Sequence, residues 1–217
     1  MRKIAIIGAG GFGREVKMLI DQINGQEKRF ELLGFYDDRH YDGPINGVAY
    51  LGTVQDAGEN KIPMSFALGI GDPTIREKIV KLLDQPHFEF PNLIHPSVIT
   101  GNDDVSLGRG NIICAGSILT VNIKLKDFII LNLCCTVGHD TVIDSYSSFM
   151  PSVNISGEVH IHEKVYVGTG AKIINLLEIG QNTIVGAGAV VAKTLPANCT
   201  AVGIPAKPIK FHETSEE

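Results

Sequence analysis

From Leu107 to Pro196 an apolar residue opens every hexapeptide: Leu107, Ile113, Leu119, Leu125, Leu131, Val137, Ile143, Phe149, Ile155, Ile161, Val167, Ile173, Ile179, Val185 and Val191. An amphipathic helix repeats near 3.6 residues and a half-buried strand every two, so a period of six belongs to neither. It predicts a solenoid in which each hexad forms one flat side of a coil. Three sides per coil give about five coils stacked at roughly 4.8 Å, a prism about 24 Å tall.

Four residues after many of these leaders comes a small or β-branched residue: Ser117, Thr141, Ser147, Val153, Val159, Val165, Ala171, Thr183 and Ala189. A narrow interior corner demands that size. Gly, Asn or Asp often follows the leader directly, as at Gly108, Asn132, Gly138, Asp144, Gly168, Gly180 and Gly186. These types tolerate tight or left-handed backbone.

The first ninety residues carry a different pattern. Lys3 to Ile7 reads as a short buried strand that runs into Gly8-Ala9-Gly10-Gly11-Phe12-Gly13, a GxGxxG turn. Val16, Leu19, Ile20 and Ile23 then fall on one helical face. Strand, glycine turn and helix amino terminus together suit a phosphate, because the backbone approaches closely and free N–H groups face the anion. A second strand, Leu32 to Tyr36, ends in Asp37-Asp38, whose carboxylates suit a ribose or base. A third, Ser65 to Ile70, leads through Gly71 and Asp72 into a helix with Ile75, Ile79, Leu82 and Leu83 as its apolar face, Asp72 as cap and Pro73 at its first position. The α/β part stops near Pro91, too soon for a full dinucleotide fold, so a mononucleotide is the expected ligand class. The domains read as 1–91, nucleotide binding, and 92–217, the solenoid.

Composition narrows the function classes. A net charge of −5 offers no long-range pull on nucleic acid or an anionic membrane. Only four apolar residues precede the first glycines, too few for a signal-peptide core, and no eighteen apolar residues run together. A cytoplasmic location is expected. Cys114, Cys134, Cys135 and Cys199 lack metal-ligand spacing and read as free buried thiols. The tail from Phe211 is polar and acidic and reads as frayed.

Taken together, IIGAGGFGREV, FYDD, ALGIGDPTIREK, NLIHPS, TVGHDTVI, AKIINLLEIGQNTIVGAGAVVAKTLP and VGIPAK resemble the hexapeptide-repeat sugar acyltransferases. That family includes bacterial sialic acid O-acetyltransferases and nucleotide-sugar N-acetyltransferases. The resemblance implies a small Rossmann-like domain followed by a left-handed parallel β-helix, a homotrimer, and acetyl-coenzyme A held between adjacent prisms. It also implies nucleotide-sugar contacts, UDP-linked by preference, at Gly10, Gly11, Phe12, Asp37, Asp38 and Gly71. Many amino-sugar enzymes of the family have His where this chain has Phe12.

Acyl transfer from a thioester to an amine or hydroxyl needs a base for the nucleophile's proton and a donor for the oxyanion. His139-Asp140 matches the family's catalytic His and its acidic neighbour, which raises imidazole basicity and fixes the tautomer. Resemblance places coenzyme contacts at Ser148, Thr169 and Ala187, with Lys193, Lys207 or Lys210 near the phosphates. His160 and His162 lack the spacing of γ-carbonic-anhydrase zinc ligands, so no metal is expected and both read as surface histidines. The expected activity is N-acetylation of a nucleotide-linked amino-deoxy sugar for a bacterial surface glycan. The alternatives are O-acetylation of a sialic-acid-type hydroxyl, a metalloenzyme of the carbonic-anhydrase type, and a non-catalytic scaffold.

Overall fold

In the computed structural model, which describes residues 1–212, the chain separates into two units, Met1–Pro96 and a second from Ser97 onward. In the first, five parallel strands lie in the order β3-β2-β1-β4-β5: β1 (Arg2–Ile7), β2 (Phe30–Tyr36), β3 (Tyr50–Gly52), β4 (Met64–Leu68) and β5 (Phe88–Glu89). Ile4, Ile6, Phe35 and Phe66 are fully buried, as a central parallel strand flanked by helices requires. Helix α1 (Gly11–Gln26) buries Val16, Leu19, Ile20 and Ile23, the face the sequence predicts. The short strand β3 and helix α2 (Val54–Glu59) leave no periodic signal. Helix α2 is fixed instead by a reciprocal capping box between Thr53 and Asp56.

Helix α3 (Pro73–Leu83) starts as expected, with Pro73 in its first turn and the Asp72 carboxylate accepting from the Ile75 N–H at 2.9 Å. Its buried face differs from the predicted one. Pro73, Arg76, Val80 and Leu83 turn inward, whereas Ile75 and Leu82 are exposed. The cause is Arg76, whose guanidinium is 1% exposed and donates to the Ile70 and Gly71 carbonyls at 2.8 and 3.2 Å. A buried charge is tolerated only when so engaged, and here it ties the helix to the loop that follows β4.

The second unit is a left-handed parallel β-helix with three sheets. Strands pair in register eighteen residues apart: Leu119 with Val137, Ile155, Ile173 and Val191 on one face, and Leu125 with Ile143, Ile161 and Ile179 on the next. The third face carries Ile113, Leu131, Phe149, Val167 and Val185. Every leader except the half-buried Leu107 is enclosed, and so are Ser117, Thr141, Ser147, Val153, Val159, Val165, Ala171, Thr183 and Ala189. Burying one such aliphatic side chain contributes about 1.5–3 kcal/mol, which makes the repeat itself the core.

The corners revise one expectation. Left-handed backbone falls three residues after the leader, at Asn122, Asp140 and Glu158 in one column, and at Phe128, Tyr146 and Lys164 in another. Glycines directly after leaders serve a different need: a Cβ on Gly138 would stand 2.6 Å from the Gly157 nitrogen, and one on Gly168 would stand 2.5 Å from the Ala187 nitrogen. They allow successive coils to approach. An antiparallel hairpin, Cys199–Gly203 with Ala206–Phe211, adds to the third face and ends the stack. Phe211 therefore closes a strand rather than opening a frayed tail; residues 213–217 lie outside the described residues. Cys114, Cys135 and Cys199 are buried free thiols, but Cys134 is exposed, because it occupies a left-handed corner (φ 58°) that turns its side chain outward. Among the described residues, no helix is long and apolar enough to cross a membrane.

Candidate active site

The glycine turn opens a cleft of about 380 Å³ lined by Gly8, Gly10, Gly11, Phe12, Asp37 and Asp38, with Val54, Ile70, Ile75 and Ile79 supplying its apolar wall. The glycines divide into two kinds. A Cβ on Gly13 would collide with the Gly8 carbonyl, so that residue serves helix-to-strand packing. Additions at Gly10 and Gly11 meet nothing within 4 Å, so these two leave open space at the amino terminus of α1. Among the described residues no side chain caps that terminus, so its first backbone N–H groups lack an intrahelical partner. Five of the six predicted nucleotide-sugar residues thus line one cleft, and Gly71 does not; its neighbour Ile70 does.

The paired aspartates are already partly engaged. Asp37 accepts from the Ala9 N–H at 2.6 Å and the Arg39 N–H at 2.8 Å, fixing the turn against the end of β2. Asp38 accepts through Oδ1 from the Val54 N–H at 3.0 Å, which docks α2 at the cleft wall. Val54, which the sequence pattern does not single out, enters the lining this way. The exposed Ile75 and the half-buried Ile79 of α3 both line the cleft, so their spacing marks a cleft wall rather than a core.

In the β-helix, His139 and Asp140 sit at the corner that follows the strand Thr136–Val137. The His139 Nδ1 lies 2.7 Å from the Asp140 Oδ2. An ionised carboxylate only accepts, so Nδ1 carries the hydrogen, and in the neutral imidazole this leaves the lone pair on Nε2. Asp140 in turn accepts through Oδ1 from the Asn122 Nδ2 at 2.9 Å. The hydrogen bonds from His139 and then Asn122 hold its carboxyl below the usual carboxylate range. Left-handed backbone at Asp140 (φ 56°), with its N–H bonded to the Val121 carbonyl, lets adjacent side chains meet across one corner.

Two residues of this corner escape motif reading. Asn122 stands eighteen residues before Asp140, one coil away in the same column. Gly157 stands eighteen after His139, and a Cβ there would lie 2.5 Å from the imidazole Cε1 and nearer still to Nε2. The eighteen-residue repeat is the signal that finds both.

Thr169 and Ala187 are exposed and stacked at another corner, where the Gly188 N–H reaches the Thr169 carbonyl at 2.8 Å. Gly170 and Gly188 beside them adjoin open space. The face Thr136–Val137, Asn154–Ile155 and Lys172–Ile173 runs between this corner and that of His139, so one chain presents the two on separate edges. Ser148 is a correction: it is 0% exposed, and its hydroxyl offers nothing to a ligand lying on the prism surface. Lys193, Lys207 and Lys210 are exposed. His160 and His162 also depart from expectation, being half-buried and hydrogen-bonded to the Asp144 and Glu178 carboxylates at 3.1 Å each.

The chain matches several proteins at full length. The family described as the PglD N-terminal domain matches residues 3–83. GDP-perosamine N-acetyltransferase of Escherichia coli O157:H7 is 31% identical over 99% of this chain and 100% of its own. Among solved structures, the acetyltransferase domain of PglB from Neisseria gonorrhoeae, in complex with acetyl coenzyme A, superposes with a TM-score of 0.86 at 31% identity, covering 96% of this chain and 99% of that one. PerB from Caulobacter crescentus, in complex with CoA and GDP-perosamine, gives a TM-score of 0.84 at 29% identity, covering 97% and 98%.

Proposed function

Because the chain belongs to the hexapeptide-repeat sugar acetyltransferase family, we propose that it transfers acetyl from acetyl-coenzyme A to the amino group of a nucleotide-linked amino-deoxy sugar. The observation that carries this reading is the 2.7 Å bond from His139 to Asp140, which leaves Nε2 as a base. The acceptor is a neutral amine that attacks the thioester carbonyl directly. His139 Nε2 takes the proton as the C–N bond forms, and the coenzyme leaves as the thiol when the tetrahedral adduct collapses and that proton is returned. No acyl-enzyme forms. Asp140 stabilises the imidazolium between the two transfers, and Asn122 holds Asp140 in place.

The first unit supplies the grip on the nucleotide. The open α1 terminus at Gly10 and Gly11 takes the diphosphate, and the wall of Phe12, Val54, Ile75 and Ile79 takes the base. Phe12 gives this wall an apolar face where a histidine would present a polar edge. The relatives' printed ligand is GDP-perosamine, so GDP-linked amino sugars join UDP-linked ones as first acceptors. In the second unit, Thr169 and Ala187 with Lys193 hold the coenzyme. Separation of the coenzyme edge from the His139 edge supports a homotrimer in which each site takes one edge from each neighbour. The setting is cytoplasmic synthesis of a surface glycan.

The test is incubation with acetyl-coenzyme A and GDP-, UDP-, dTDP- and CMP-linked amino sugars, read by mass spectrometry for one added acetyl group. His139→Ala loses turnover and keeps the wild-type oligomer size by light scattering. Full activity of that variant would overturn the mechanism, and acetylation at a hydroxyl with the amine left free would overturn the choice of nucleophile.

A further inference from the structure

The eighteen-residue repeat that stacks the His139 corner stacks a second polar cluster on another edge of the prism. Lys126, Asp144 and His162 each follow a leader of the second face and form one column; His160 and Glu178 pair in the neighbouring column. Asp144 is 7% exposed, whereas His160 and His162 are half-exposed and reachable from solvent. The Asp144 Oδ2 lies 3.1 Å from the His160 Nε2 and 3.8 Å from the His162 Nδ1. One ligand atom from each of the three lies within 4.8 Å of the others.

Imidazole nitrogen and carboxylate oxygen bind a zinc-like dication at about 2.0–2.2 Å, so tetrahedral neighbours stand about 3.3–3.5 Å apart. The two separations from the Asp144 Oδ2 fall on either side of that value. The remaining atoms of two ligands are also engaged. The Asp144 Oδ1 is 2.7 Å from the Lys126 Nζ, and the His162 Nε2 is 3.1 Å from the Glu178 Oε2. Such outer partners fix which nitrogen of a ligand histidine faces the ion, here Nδ1 of His162.

We propose that Asp144, His160 and His162 form a binding site for a borderline transition-metal dication such as Zn²⁺ or Co²⁺, outside the acetyl-transfer site. Asp144 belongs to one coil and the two histidines to the next. The ion therefore staples neighbouring coils and stabilises the solenoid without entering the chemistry.

The experiment uses tag-free, chelator-treated full-length protein. Calorimetric titration with Zn²⁺ gives one ion per chain, Co²⁺ gives a visible d–d spectrum of a low-coordinate nitrogen and oxygen site, and the Tm rises by about 5–10 °C at metal 100-fold above Kd. The His160→Gln/His162→Gln double variant loses all three responses, and either single variant weakens binding at least about tenfold, the scale of a lost ligand partner. Cys134→Ser and His139→Gln keep them. Absence of binding, binding undiminished in the double variant, or binding lost with Cys134→Ser would each overturn the proposal and leave the cluster as a hydrogen-bonded ion-pair network.

Discussion

Gly157→Ala tests the geometry of the proposed base with a single methyl group. The backbone at Gly157 lies outside the left-handed region, so alanine fits it without strain. The added Cβ meets His139 Cε1 at 2.5 Å, whereas an ordinary carbon contact is about 3.5 Å, so the ring has to shift by about 1 Å. The His139 side chain is 55% exposed and has room to do so. A shift of that size stretches the 2.7 Å bond to Asp140 beyond hydrogen-bonding length and turns Nε2 away from the acceptor amine. Misplacement by about 1 Å costs about 10²-fold in rate, or about 2.7 kcal/mol of barrier. Stability moves the other way, since replacing glycine at a compatible position gains about 0.4–1 kcal/mol.

The assay follows thiol release from acetyl-coenzyme A, with thermal unfolding measured on the same preparations. The expected result is a kcat about 100-fold lower, coenzyme KM little changed, and a Tm equal to or above wild type. In the His139→Ala background Gly157→Ala should add no further loss, because the two act through one side chain. An unchanged kcat, or a loss of rate in that background, would refute the argument.

Three further outcomes follow from the same contacts. Gly10→Ala should raise the nucleotide-sugar KM with the Tm intact, because its methyl enters open cleft; Gly13→Ala should lower the Tm through overpacking of about 1–3 kcal/mol or more, and the reverse ranking would reject the assigned roles. Asn122→Ala removes one of two hydrogen bonds that keep the Asp140 carboxyl low. A lowered carboxyl keeps its pairing above the ordinary carboxylate range and loses it as pH falls through the lowered value, so in this variant the carboxyl-carbon NMR titration midpoint should move up; an unmoved midpoint counts against the Asn122 contact. Burial pushes the Cys135 thiol up to about 12, so a disulfide reagent should modify Cys134 alone under native conditions, and a fast phase surviving Cys134→Ser would contradict that.

The parts of this protein legible in its sequence are those where backbone geometry alone dictates residue type. The hexad leaders have one place to go, the prism interior, and no side-chain partner can redirect them; that is why all but the terminal Leu107 are enclosed. Helix α3 departs from its apolar periodicity for the opposite reason. Its buried face is built around Arg76, whose guanidinium is hydrogen-bonded by carbonyls of a loop that periodicity cannot see, and its apolar residues Ile75 and Ile79 are left to line a cleft. Ser148 belongs to the same class, since position in a repeat does not report whether a polar side chain is enclosed.

The polar clusters fall between these extremes. His139 and Asp140 adjoin in sequence, but what allows them to bond is a left-handed φ at Asp140, a corner property set by the hexad register. Asn122 and Gly157 lie one coil to either side, at intervals of eighteen, and the same interval joins Lys126, Asp144 and His162. A solenoid converts a linear offset into spatial adjacency, so a search for polar residues at multiples of eighteen, with glycine wherever a neighbouring coil needs space, recovers both clusters. What it leaves to the structure is the element that breaks the interval: His160, sixteen residues from Asp144, reaches the carboxylate from the adjacent column because a strand residue and a corner residue of successive coils lean together.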